Sequence, residues 1–103
     1  MSDRMHQLQQ MLKRQPDDPF LLYGLAMEYK KASDLELALQ YLDRVLQKDP
    51  NYCYAYYQRG LVHESLGKPE DAKRAYREGI NAADRSGDAH AKEELSAALS
   101  MLE

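Results

Sequence analysis

Apolar residues along this chain recur at spacings of three and four, not two. The clearest run is Leu35, Ala38, Leu39, Leu42, Val45 and Leu46, which lays one stripe along a helix and makes no coherent face on a strand. Local punctuation frames that run. Ser33 and Glu36 stand at the spacing of a reciprocal capping box, and Pro50, with no backbone N–H to donate, closes the block. The same grammar recurs where Asp18 precedes Pro19 and where Pro69 opens a block whose first turn carries Glu70 and Asp71. The pattern predicts six helices, over 4–14, 19–32, 34–48, 53–66, 69–83 and 87–102. No stretch reads as a strand, so the expected fold class is all-α.

The blocks repeat. Laying residues 19–52 over 53–86 gives three identities: Tyr23 with Tyr57, Glu36 with Glu70 and Ala38 with Ala72. Size and class agree more widely. Small residues coincide at Ala26 and Gly60, and large apolar or aromatic ones at Phe20 and Tyr54, Leu22 and Tyr56, Met27 and Leu61, Leu42 and Tyr76, Leu46 and Ile80. Shifting residues 4–18 by the same 34 positions matches Leu8 to Leu42, Leu12 to Leu46 and Pro16 to Pro50. The repeating unit is a helical hairpin of 34 residues, preceded by half a unit and followed by a helix that starts another.

The two units carry comparable residues at the same offsets. The first copy carries Leu22, Leu25, Ala26, Tyr29, Ala38, Leu42 and Pro50, and the second Tyr56, Arg59, Gly60, His63, Ala72 and Tyr76, with Asp84 in place of the closing proline. In this the chain resembles the tetratricopeptide repeat family over essentially its whole length. The resemblance implies a right-handed α-solenoid of antiparallel helical hairpins in a single domain spanning 1–103. Its parts would be a half-repeat or cap over 4–18, repeats over 19–52 and 53–86, and a capping helix over 87–103. Small Ala26 and Gly60 would let the first helix of a hairpin approach the second, near Ala38 and Ala72. Arg59 departs from the usual leucine and is expected to lay its stem over the hairpin with its charge in water. His63 departs from the usual tyrosine and is expected to be packed and hydrogen-bonded.

In this family the first helices of successive hairpins line a concave groove that takes an extended peptide or a partner helix. Carried over position by position, the groove is expected at Phe20, Tyr23, Gly24, Met27, Lys30 and Lys31 in the first copy and at Tyr54, Tyr57, Gln58, Leu61 and Glu64 in the second. The residues themselves agree with a second contact face. Phe20, Tyr23 and Met27 share one side of their helix, whereas Leu22, Leu25, Ala26 and Tyr29 share another. One face is the hairpin core, and the other meets either the neighbouring hairpin or a partner. Tyr23 and Tyr57 combine low rotamer entropy with a polar tip and are the expected anchors. Lys30 and Lys31 are a solvated helix end able to attract an acidic segment. Some family members hold the carboxylate end of a chaperone tail with a lysine and asparagines. The matching positions here are Tyr23 and Met27, which do not support that activity.

Composition narrows the function further. A net charge of −3 offers no general attraction to phosphate backbones, so nucleic acid is not an expected partner. A single cysteine excludes an internal disulfide framework and suits a reducing compartment, the cytoplasm. No apolar run reaches the length of a membrane span, and Met1-Ser2-Asp3-Arg4 leads into glutamines, not into the core of a signal peptide. Catalytic chemistry is not in evidence. His6, His63 and His90 fall on three different predicted helices, none beside a second ligand at helical spacing, and no glycine-rich loop leads into a Lys-Ser or Lys-Thr pair. Cys53 is expected to pack as a small apolar residue. No catalytic residue, metal or cofactor is therefore expected. The sequence reads as a non-catalytic adaptor or scaffold that binds a protein or peptide. The alternative is a self-associating homodimer or chaperone-like subunit, because an unpaired half-unit can dock on its equivalent in a second copy. Both ends read as caps: Met5, Leu8, Met11 and Leu12 are expected to face inward in the first helix, as are Leu95, Leu99 and Leu102 in the last.

Overall fold

The computed structural model describes residues 2–103. Met1 of the opening run lies outside them. Six helices follow one another: α1 (Asp3–Arg14), α2 (Pro19–Lys31), α3 (Leu35–Lys48), α4 (Cys53–Ser65), α5 (Pro69–Ser86) and α6 (Ala89–Leu102). The described residues contain no strand. They fall into two compact units, one running up to Asp49 and the other over Pro50–Glu103. In the first, α2 packs on α3 and α1 on α2; in the second, α4 packs on α5, and α6 covers α5 and touches α4.

The caps explain where the helices start. Asp18 accepts a hydrogen bond from the Phe20 amide (2.9 Å), with Pro19 beside it in the first turn. Asp88 does the same for Ala91 (3.0 Å). Ser2 caps α1 through the Met5 amide (3.0 Å) while its hydroxyl donates to Glu28 at the far end of α2 (2.8 Å), so one side chain ties two helices.

Three local expectations need correction. Ser33 does not cap α3. It sits at φ 62, its amide bonds to the Lys30 carbonyl, and the next amide, of Asp34, reaches back to Tyr29. That is a Schellman ending of α2, which consumes the serine as its left-handed residue and leaves Asp34 at the head of α3 without a side-chain cap bond. The repeat-equivalent residue is Gly67, at φ 71, in the same pattern of bonds to Glu64 and His63. Second, α5 runs past residue 83 to Ser86, because Asp84 keeps the amide that Pro50 lacks. It stops at Gly87 (φ 70), which puts the start of α6 at Ala89. Third, Met11 is 48% exposed: Met5 and Leu8 fill the contact of α1 with α2, and its own flank is left uncovered.

The Ser33–Gly67 equivalence carries an expected result. Ser33→Gly removes the Cβ from a left-handed position and should stabilise the fold by about 1 kcal/mol, or about 4–8 °C in Tm. Gly67→Ala should cost a similar amount. Thermal unfolding of the two variants measures both, and a Ser33→Gly chain that melts no higher than wild type would contradict the assignment.

In the first unit the core gathers Met5, Leu8, Leu21 and Leu25, with Leu12, Tyr29 and Tyr41 packed against it. In the second, the buried residues include Tyr56, Val62, Ala72, Tyr76, Ala91 and Leu95. Tyr76 is wholly buried, and one stripe of α4 holds it. Tyr57 lies against its ring (centroids 6.1 Å apart, tilted 51°), Gly60 faces the ring edge, and Glu64 accepts its hydroxyl. These three residues stand at spacings of three and four, one face of a helix. Burial first, and then the hydrogen bond to Glu64, hold the Tyr76 phenol well above the ordinary tyrosine range.

Candidate functional site

The expected division of α2 into two faces is present. Leu22, Leu25 and Ala26 are buried as expected, joined by Leu21, while Tyr29 is only half-buried; Phe20 is 66% exposed and Tyr23 and Met27 are half-buried. Phe20, Tyr23, Gly24 and Met27 line a cleft of about 250 Å³, with Arg4 of α1 and Glu28 completing its wall. Phe20 reaches this position because it occupies the first turn, capped by Asp18, one residue ahead of the buried stripe. An exposed ring beside two half-buried apolar side chains offers a partner area to cover. Arg4 was not among the expected groove residues. Only its position in the first turn of a helix laid along α2 hinted at it.

Lys30 is half-buried and engaged in an interaction of its own, and the exposed Lys31 pairs with Glu28 at 3.6 Å. The end of α2 therefore presents partly compensated charge. With the lysine end solvated and the Glu28 side chain largely covered, the pair lies at the edge of the fold and is screened on one side.

The corresponding residues of the second unit are half-buried at Tyr54, Tyr57, Gln58 and Leu61, and exposed at Glu64. Here the structure assigns further tasks to three of them. Tyr54 donates to Glu94 of α6 (3.0 Å), and that bond, with burial behind it, raises its phenol above the ordinary range. The same carboxylate oxygen lies 2.6 Å from Nε2 of His90. Tyr57 and Glu64 hold Tyr76, as described above. The second unit thus ties its expected binding side chains into the packing of α4 against α5 and α6, and the first leaves Phe20 outside its core.

Elsewhere, Arg59 departs from the expectation of a charge left in water: its half-buried side chain pairs with Glu78 of α5 at 3.7 Å, across the hairpin, and its Nε is buried. Cys53 is buried, with its thiol donating to the Asn51 carbonyl (3.4 Å). His6, His63 and His90 sit on α1, α4 and α6. Among the described residues no group of three or more His, Cys, Asp or Glu side chains is placed to hold a metal ion. No helix of the described chain is long and apolar enough to cross a membrane.

Comparison with known proteins agrees with this architecture. One tetratricopeptide repeat family model matches residues 20–52 and a second matches 41–74, the latter entering the array half a hairpin later. A TPR repeat-containing protein of Pseudomonas aeruginosa is 30% identical over 96 residues, covering 93% of this chain and 91% of its own length. Among solved structures, a tetratricopeptide repeat domain protein from Salinibacter ruber superposes with a TM-score of 0.80 at 34% identity, over 85% of this chain and 89% of that one. A protein from Bordetella parapertussis superposes with a TM-score of 0.85 at 28% identity, over 99% of this chain and 89% of that one. Domains with this repeat are in general protein–protein interaction modules and typically non-catalytic. With its hairpin period of 34, its Ala26/Gly60 and Ala38/Ala72 positions and these relatives, the chain belongs to the tetratricopeptide repeat family.

Proposed function

We propose that this chain is a non-catalytic adaptor that binds a segment of a partner protein, extended or helical, through apolar anchors. Phe20 carries the reading: two-thirds exposed, on the one face of α2 that its own unit leaves outside the core, beside a cleft shared with Tyr23 and Met27. A solvated ring next to half-buried apolar neighbours is the arrangement from which interface anchors are drawn. In the second unit, Gln58 and Leu61 of α4 and the uncovered edges of Tyr54 and Tyr57, whose hydroxyl and ring also serve their own unit, are further contacts, and Lys30, Lys31 and Glu64 set the charge at the helix ends. We read the repeats as 19–52 and 53–86, flanked by the half-repeat 4–18 and the capping helix 87–103, and place the protein in the cytoplasm on its single, buried cysteine, Cys53.

A random-peptide display library tests the site. Peptides retained by wild type are expected to share large apolar residues at fixed spacing and to weaken about tenfold or more against Phe20→Ser, whose exposed position leaves the fold intact by circular dichroism. Peptides that ignore Phe20→Ser and Tyr23→Ala alike would place binding elsewhere. Failure to retain any peptide, together with a concentration-dependent dimer that Phe20→Ser dissolves, would favour self-association.

A further inference from the structure

We propose that a second cleft of the first unit, bounded by α1, the α1–α2 connection, α2 and α3, docks an acidic segment of a partner protein in which Asp or Glu adjoins a large apolar residue. The cleft is about 220 Å³. Leu12, Pro16, Leu25 and Tyr41 supply its apolar lining, Lys13 and Arg44 supply its cations, and no acidic side chain lines it. It shares no lining residue with the Phe20 cleft, so the proposal does not rest on the function proposed above.

Two features make this more than a basic patch. The aromatic platform is fixed: Tyr29 stacks on Tyr41 (5.3 Å between centroids, 30° between planes), and the Arg44 guanidinium stands 5.0 Å from the Tyr41 ring centroid. A guanidinium held over a ring keeps its donor edge for a carboxylate in the plane of its fork. Among the described residues, neither Arg44 nor Lys13 forms an ion pair, and the nearby Asp17 of the connection is committed to Lys48 (3.4 Å). The second unit shows the contrast. Thirty-four positions on, Leu25 and Arg44 become Arg59 and Glu78, which pair across their own hairpin at 3.7 Å, and Tyr41 becomes Ala75. The second unit compensates the charge at this place internally and carries no ring there. The first leaves an arginine over a tyrosine beside apolar surface, where a carboxylate next to a ring or aliphatic side chain satisfies both parts.

The test is a random-peptide display library panned on the full chain, with the Arg44→Glu chain as counter-selection and Lys13→Glu as a second variant. Both positions are exposed, so folding is checked by circular dichroism; should Arg44→Glu lose helicity, Arg44→Gln replaces it. The expected peptides carry Asp or Glu beside an aromatic or large aliphatic residue, bind about tenfold or more weakly to either variant, and weaken as salt is raised. They shift the backbone amides of Lys13, Tyr41 and Arg44 in chemical-shift mapping. Four results would overturn the proposal: no peptide dependent on Arg44, selected peptides without acid, shifts confined to the Phe20 cleft, or equal shifts from inorganic phosphate alone, which would mark a simple anion site.

Discussion

Gly60→Ala should destabilise the protein by about 3 kcal/mol, although alanine is the better helix former by about 1 kcal/mol. A Cβ built on Gly60 would lie 2.1 Å from Cε1 of Tyr76 and 2.4 Å from Cζ, far inside van der Waals contact. The ring has no room to retreat. It is wholly buried, Tyr57 lies against it, and its hydroxyl is held by Glu64. Relief therefore means separating α4 from α5. The first unit shows how the same crossing is built without a glycine, since its equivalents of Gly60 and Tyr76 are Ala26 and Leu42, both fully buried. Hence Tyr76→Leu, costly alone through the cavity it leaves, should recover much of the loss when combined with Gly60→Ala. Denaturant midpoints of the two single variants and the double one measure the coupling. Strictly additive losses would show that the 60–76 contact is not what limits the crossing.

That pairing also marks how far the sequence could be read. The small residues at 26 and 60 were legible from the 34-residue overlay, and so were the six helices, because apolar stripes, prolines and caps are local signals. The repeat pattern sets Gly60 opposite Ala72, whereas it is the Tyr76 ring that forbids a side chain there. No single-chain pattern says which of two residues four positions apart on α5 meets a given position on α4. Ser33 departs from its local pattern for a related reason. Ser-x-x-Glu fits a capping box in isolation, but the short link between α2 and α3 needs a left-handed residue at that place, as Gly67 shows in the second unit. The ends of α5 and α6 moved because Asp84, unlike Pro50, does not stop a helix.

The candidate site was legible in one half more than the other. Phe20, Tyr23 and Met27 announced a second face of α2 by spacing alone, and they meet at one cleft. In α4 the same spacing brings Tyr57 and Glu64 to Tyr76, and Tyr54 to Glu94, so helix periodicity could not separate residues offered to a partner from residues holding their own unit. Those assignments depend on the contents of α5 and α6 at contact distance. Arg4 and Arg44 escaped for the opposite reason: a lone basic residue on a helix surface carries no signal until a ring or a cleft is found beside it.

Alkaline pH should unfold this protein through Tyr76. An unfolded tyrosine titrates near pH ~10, whereas burial and the bond to Glu64 hold the folded phenol well above that. Between the two values the unfolded chain has lost a proton that the folded one keeps. Stability then falls as pH rises, by about 1.4 kcal/mol per pH unit for this one group, while below pH ~10 its contribution is fully present. Tyr54, raised by Glu94 and by burial, acts in the same direction. Tyr76→Phe isolates the first term. At neutral pH the variant should be less stable by about 1 kcal/mol for the lost hydrogen bond, since its partner Glu64 is exposed and can turn to water. Above pH ~10 wild type loses stability that the phenylalanine variant does not, so the gap should close and then reverse at about pH 11. Urea midpoints of the two proteins across this range give the difference directly, with lysine titration common to both. Parallel curves would mean that Tyr76 ionises without leaving its place, and that the α4–α5 crossing tolerates a phenolate beside a carboxylate.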